Sequence, residues 1–189
     1  MAKRTQLDLL KNKYQHAYGG ELLKKAKNRT YGRPLSVKQS MHLVLRSTKA
    51  KGLSSFATSS NRKLVRQLVN KFAYKYGIRI YNFANVGNHL HLHIKLSNRY
   101  AFEKFIRAFT GAIAIKLGNF DKWKGAKKNA QDRFFDYRPF TRIVTGLRAI
   151  LTLQDYIRLN EIEGYGSARS QARFLVNYER GSPLVASTY

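Results

Sequence analysis

The sequence predicts an α+β fold: an antiparallel four-stranded sheet with helices on one face, and a further helix after the last strand. Three observations carry this. The run HLHLHIKL, from His89 to Leu96, alternates polar and apolar residues with the period of two that a half-buried strand needs. Two longer runs, NRKLVRQLVNKFAYKYG and the stretch after Asn98, instead repeat their apolar residues at helical spacing. Strand-like and helix-like runs then alternate in the order β-α-β-β-α-β-α.

Each element can be justified in turn. Residues 1–36 are basic and rich in turn formers, and read as an arm with a short helix around Leu22; His16 in this arm is a polar residue with no further role. SMHLVLRS, ending at Ser47, has strand composition and no breaker. After a loop, Ser59, Ser60 and Asn61 offer N-caps to a helix whose stripe is Leu64, Val65, Leu68, Val69, Phe72 and Tyr76, stopped by Gly77. IRIYNFANV gives a second strand, Gly87-Asn88 a turn, and HLHLHIKL a third strand paired with the second as a hairpin. Ser97 and Asn98 cap a second helix with the stripe Phe102, Phe105, Ile106, Phe109, Ile113 and Leu117, closed by Gly118. A polar connector carrying the only tryptophan, Trp123, leads to a fourth strand in RPFTRIVTG. LRAILTLQDYIRLNEIEGYG then reads as a helix ended by Gly164 or Gly166.

The first six elements match the split β-α-β, or ferredoxin-like, order, in which the first and third strands lie side by side at the centre of the sheet. That topology puts His42 beside the histidine strand. The chain divides into the arm (1–36), one domain (37–166) and a tail (167–189) without a clear pattern.

Charge bounds the function. Thirty-six Lys and Arg stand against ten Asp and Glu, a net charge of +26, and from Leu22 through Phe102 there is no acidic residue against seventeen basic ones. A merely solvated surface interleaves both signs. This one attracts polyanions by counterion release and long-range steering, so nucleic acid is the expected partner. The absence of cysteine excludes disulfides and thiolate zinc sites. No stretch has the apolar length of a signal peptide core or a membrane span, and a cytoplasmic, nucleoid-associated protein without a membrane partner is expected. Charge alone does not separate a binder from a cutter.

The histidines carry the chemistry. On a strand, His89, His91 and His93 share one face and Leu90, Leu92 and Ile94 the other. Residues two apart are separated by about 6.6 Å and four apart by about 13 Å. One ion can therefore be held by His89 with His91 or by His91 with His93, but not by all three. Two imidazoles do not complete a site, so a third ligand must come from elsewhere. The scarcity of carboxylates argues against a nuclease that holds two metals with Asp and Glu. In LQDYIRLNEIEG, Tyr156 and Asn160 are four apart and share a helical face. Asn160 carries a neutral oxygen able to ligate a metal, and surrounding cations favour a tyrosine as nucleophile. Asp155, Glu161 and Glu163 on the same helix either pair with neighbouring arginines or position a water or an ion.

GNHLHLHIKL followed by a helix, then FFDYRPFTRIVT and DYIRLNEIEGYG, resembles the single-tyrosine HUH transposases over residues 33–166, above all the REP-associated tyrosine transposases and their insertion-sequence relatives. The family's motif is two histidines around one hydrophobic residue, preceded by Pro-Asn or Gly-Asn; Asn88-His89-Leu90-His91 matches it. The resemblance implies His89, His91 and Asn160 as ligands of Mg²⁺ or Mn²⁺. It implies Tyr156, in a Tyr-x-x-x-Asn pattern, as the nucleophile. SMHLVLRS is similar to the family's first strand, which commonly carries a histidine near its start, here His42. Two departures stand out: many insertion-sequence members have the longer Gln in place of Asn160, and relatives often have an aliphatic residue in place of His93.

The implied activity is cleavage and rejoining of single-stranded DNA next to hairpins through a 5′-phosphotyrosine. Single-stranded or hairpin DNA is the implied partner, and monomer and homodimer both stay open, with TGLRAI as a hinge if the tyrosine helix is exchanged. Candidate DNA contacts are His42, Arg46, His93, Lys95, Arg138 and Arg142, with Tyr76, Tyr81 and Phe83 read as packing rather than base platforms. The alternatives are a basic binding protein without cleavage, RRM-like, and a domesticated transposase. The first shares the element order and the charge, but the aromatic pattern of such strands is absent from YNFANVGN and HLHLHIKL.

Overall fold

The structure, a computed structural model, describes residues 33–118, 133–136 and 138–181. The expected helix around Leu22, His16 and the Trp123 connector lie outside the described residues. Strand β1 (Ser40–Arg46) leads through a single 3₁₀ turn to helix α1 (Ser59–Lys75). The hairpin β2 (Arg79–Asn85) and β3 (His89–Lys95), helix α2 (Arg99–Leu117), strand β4 (Phe140–Val144), and helices α3 (Leu147–Gly164) and α4 (Arg169–Gly181) follow. The strands form one antiparallel sheet in the order β2-β3-β1-β4, with β1 and β3 central as expected.

Register turns the alternation of β3 into two unlike faces. Met41 lies opposite Ile94, Leu43 opposite Leu92 and Leu45 opposite Leu90. This apolar face receives α1 and α2, whose Val65, Leu68, Val69, Phe105, Phe109 and Ile113 complete the main core. Burying each such side chain fully contributes about 1.5–3 kcal/mol. On the other face His42 lies opposite His93, Val44 opposite His91 and Arg46 opposite His89.

The third helix does not join the first two. It lies across the histidine face, with Leu153 and Ile157 packed against Ala84 of β2 and Val144 of β4. With a helix on that face, His42, His91 and His93 are buried and His89 is half-buried.

The helix ends follow the capping rules with one shift. Asn98 caps α2, its side chain accepting from the Ala101 amide at 2.7 Å. For α1 the cap is Thr58, accepting from the Asn61 amide at 3.3 Å, rather than the three residues after it. Every residue of Thr58-Ser59-Ser60-Asn61 is a competent cap, so composition alone cannot choose among them.

The tail, read from the sequence as without a clear pattern, contains a helix. In α4, Ala172 and Val176 are buried against Leu159 and Ile162 of α3. Arg158 of α3 donates to Glu179 at 2.7 and 3.0 Å, Arg180 pairs with Asp155 at 3.2 Å, and Arg169 with Glu163 at 3.0 Å. The packed body thus continues past residue 166 to 181. Among the described residues no helix is long and apolar enough to cross a membrane.

Candidate active site

The histidine face divides its three residues between two jobs. His93 is 2% exposed, with its Nε2 at 2.8 Å from the Ser40 hydroxyl and its Nδ1 at 3.3 Å from the Asn82 side-chain oxygen. Both ring nitrogens are engaged by the sheet itself, so the residue is not presented to a ligand. His89 is half-buried, and its Nδ1 lies 2.6 Å from the Asn88 side-chain oxygen. With Nδ1 donating there, the Nε2 lone pair stays open, the arrangement by which outer partners orient ligating histidines.

His91 is 3% exposed. Its Nδ1 lies 3.1 Å from Nε2 of His42, while its own Nε2 is buried with no hydrogen-bond partner. Burial first, then the nearby His42 and His89, push the His91 imidazole down to about 3. Burial, then Arg142 and His93, push His42 down to about 4. Both rings are neutral at physiological pH and share one hydrogen between them. If His42 donated, a buried N–H would be stranded on His91, costing about 1–3 kcal/mol. With His91 donating, the orphan is a lone pair aimed into the site. An unpaired imidazole lone pair beside a second one on His89 fits a divalent cation. The His42 ring also stacks on His91, with centroids 5.3 Å apart.

Helix α3 brings the tyrosine to this pair. The Tyr156 ring stands edge-on to His91 at 5.4 Å and to His42 at 5.9 Å, and the residue is 43% exposed. Asn160 follows one turn later on the sheet-facing stripe of Leu153, Ile157 and Gly164, and is 6% exposed. Its amide nitrogen donates back to the Tyr156 carbonyl at 2.6 Å, which fixes the carboxamide. Among the described residues no group of three or more His, Asp or Glu could hold a metal. An oxygen-bearing side chain that could serve as a ligand beside the two histidines is the buried carboxamide of Asn160 on α3.

The far end of α3 is clamped. A Cβ added at Gly164 would overlap the Asn85 carbonyl oxygen. Arg62 of α1 donates to the Gly164 carbonyl at 2.7 Å. The three carboxylates of α3 face away from the histidines: Asp155 and Glu163 pair with α4, and Glu161 with Arg158 at 3.0 Å and Arg66 at 3.6 Å.

Beside Tyr156 opens a groove of about 960 Å³ between β1, β4 and the first half of α3. Its lining includes His42, His91 and Tyr156 together with Arg33, Arg46, Arg138, Arg142 and Arg148, and among the described residues no carboxylate. Three of the arginines singled out from sequence, at 46, 138 and 142, converge there. Arg46 also lies 3.8 Å from Asp136. Lys95 does not line the groove; it donates to the Lys38 carbonyl at 2.9 Å at the opposite end of β3. His42, also expected as a DNA contact, is buried as the partner of His91. Arg33 and Arg148 were not legible, because one lies in the arm and the other at the exposed start of α3, where lysines and arginines are common. Of the aromatics, Tyr76 stacks on Phe72 and Phe83 is buried, as expected of packing residues; Tyr81 is 44% exposed against the His93 ring.

Such a groove can bind a phosphodiester strand and present it to a phenol beside the unpartnered Nε2 of His91; His89 neighbours His91 on β3, at 4.8 Å between ring centroids, but does not itself line the groove. Residues 36–160 match the family described as "Transposase IS200 like". Among solved structures, a REP-associated tyrosine transposase bound to a REP hairpin aligns over 75% of this chain and 78% of its own, with 14% identity and a TM-score of 0.51. A proposed transposase from Deinococcus radiodurans R1 covers 75% of this chain and 98% of its own, at 15% identity and a TM-score of 0.42. No curated protein sequence matches the chain. The family match spans most of the packed body, from before β1 to Asn160, and the chain belongs to the IS200-like, single-tyrosine transposase family.

Proposed function

We propose that the chain cleaves and rejoins single-stranded DNA next to hairpins by transesterification through Tyr156. The observation that carries this reading is the position of Tyr156: half exposed at an arginine-lined groove, with its ring 5.4 Å from that of His91, whose Nε2 is unpartnered among the described residues. The arginines at 33, 46, 138, 142 and 148 hold phosphates on either side of the scissile one and fix the strand's register. The Tyr156 oxygen attacks the phosphorus in line. Its proton passes to solvent, the P–O bond to the 3′ oxygen breaks, and a 5′-phosphotyrosine and a free 3′-hydroxyl result. The number of phosphoester bonds is unchanged, so a second 3′-hydroxyl can displace the tyrosine and join new ends without an external energy source. His89, His91 and Asn160 would hold the divalent cation, Mg²⁺ or Mn²⁺; when bound it supplies Lewis-acid stabilisation of charge on the non-bridging oxygens. His42 keeps the His91 tautomer that leaves Nε2 free. Asn160, tied to the Tyr156 carbonyl, couples the ligand position to the nucleophile's own helical turn.

The test is adduct formation on end-labelled single-stranded oligonucleotides bearing a hairpin, with Mg²⁺ or Mn²⁺ and with chelator. A denaturation-resistant species that needs the cation and disappears in Tyr156→Phe and His91→Ala supports the reading. Hairpin binding without any adduct under either cation would instead favour a binding protein.

A further inference from the structure

A second basic groove lies at the other edge of the sheet, where α1 and the C-terminal end of α3 meet β2. It measures about 680 Å³ and is lined by Arg62, Lys63, Arg66, Phe83, Glu161 and Tyr165, among others. Its tyrosine is unusually prepared. The Arg62 guanidinium lies 4.1 Å from the Tyr165 ring centroid and is held there by donating to the carbonyls of Gly164 at 2.7 Å and Ala57 at 3.3 Å. One face of the phenol is thus backed by a fixed cation, while the residue remains 64% exposed. The groove's carboxylate is already committed: Glu161 lies 3.6 Å from Arg66 and 3.0 Å from Arg158. Arg66 rests on the Phe83 ring at 4.5 Å, and among the described residues the Lys63 ammonium has no partner.

A cation-backed aromatic face beside unspent positive charge is what an unpaired nucleotide uses: the base stacks and the phosphates pair. An acidic peptide would use the cations and leave the ring idle; a duplex would expose no base to it. We propose that this groove is a second site for single-stranded DNA, with an unpaired base on the open face of Tyr165 and a neighbouring phosphate on Lys63. The proposal rests on the reading of the chain as a single-strand DNA transposase. Tyr165 follows Tyr156 by nine positions, about 14 Å along the helix axis. Nine positions are also about two and a half turns, which sets the two tyrosines on opposite sides of the helix, so a strand of several nucleotides passing over α3 would occupy both grooves.

The test uses the full chain carrying Tyr156→Phe, so that cleavage does not enter, and measures anisotropy of a labelled single-stranded oligonucleotide across a salt series. Adding Tyr165→Ala should weaken binding about tenfold, the loss of one stacked base. Adding Tyr165→Phe should restore it, and Lys63→Ala should lower the salt slope by about 1. Thermal melts confirm that each variant folds. Unchanged affinity and slope in both Tyr165→Ala and Lys63→Ala overturns the proposal. Failure of Tyr165→Phe to restore binding overturns the stacking, and competition by an acidic peptide as strong as by an oligonucleotide of equal charge assigns the groove to a protein. Adduct formation by the unmodified chain is scored separately. Its absence alongside an intact Tyr165 effect removes the cleavage reading alone; its presence with no Tyr165 effect removes this site alone.

Discussion

The two faces of the sheet use the same strands for opposite ends. On one, Leu43, Leu90, Leu92 and Ile94 disappear under α1 and α2, and every polar alternative is excluded. On the other, a single helix packs over polar residues, burying His42 and His91 and leaving His89 half-buried, and one buried nitrogen is left without a partner. A buried unpaired nitrogen destabilises the fold, and the fully packed face offsets that cost. Stability and chemistry are thereby separated by one residue step along β3.

Adjacent substitutions can break this comparison. His91→Ala should lower adduct formation at least 100-fold, the size of a lost electrostatic stabiliser, while costing less stability than Leu92→Ala, because the cavity and the lost His42 bond are partly offset by removing the unpartnered nitrogen. Leu92→Ala should do the reverse, costing about 2–5 kcal/mol of stability while the folded fraction keeps its turnover. Urea melts and single-turnover adduct assays on both variants check the pair. If either variant shows the other's signature, the faces are not separable.

A pH series sharpens the polar side. An unfolded histidine titrates near 6.5, whereas folding holds His42 down to about 4 and His91 to about 3. Between those values and 6.5 the unfolded chain binds protons that the folded chain refuses, so stability falls as pH drops below 6.5 and is indifferent to these groups above it. From pH 6.5 to 5 the loss is about 2 kcal/mol for each of the two histidines. Urea midpoints of metal-free protein at pH 7.5 and 5 measure it, and the slope should shrink in His91→Ala.

Gly164 tests how closely α3 must approach the polar face. Helix propensity alone would favour alanine there by about 0.5–1 kcal/mol. The overlap with the Asn85 carbonyl oxygen should reverse the sign, giving a net loss of about 1–3 kcal/mol in a urea melt. Smallest is the phosphate contact. Arg148→Ala should lower the salt slope of oligonucleotide binding by about 1, and Lys95→Ala, outside the groove, should leave it unchanged.

Much of this was legible in the sequence because periodicity reports burial. The alternation of β3, the stripes of α1 and α2 and the Asn98 cap each follow from one local rule. The tyrosine helix was legible too, though not the face on which it would lie. What escaped depends on register or on weak stripes. His42 has His93 as its backbone partner, yet its ring reaches His91, two residues along on the same face; only the folded sheet fixes such a diagonal. Helix α4 segregates its polar and apolar residues at helical spacing, but the two it buries, Ala172 and Val176, are small, while the larger Phe174, Leu175 and Tyr178 stay exposed, so the stripe does not announce a core-facing helix. The orphaned nitrogen of His91 is invisible without its surroundings.

The central claim, that Tyr156 is the group that takes the DNA strand, is tested most directly by locating the bond. Adduct formed with cation and a hairpin oligonucleotide is trimmed with nuclease, digested and sequenced by tandem mass spectrometry. The account predicts a residual nucleotide mass on Tyr156 alone. A nucleotide on another tyrosine, such as Tyr165, would contradict it.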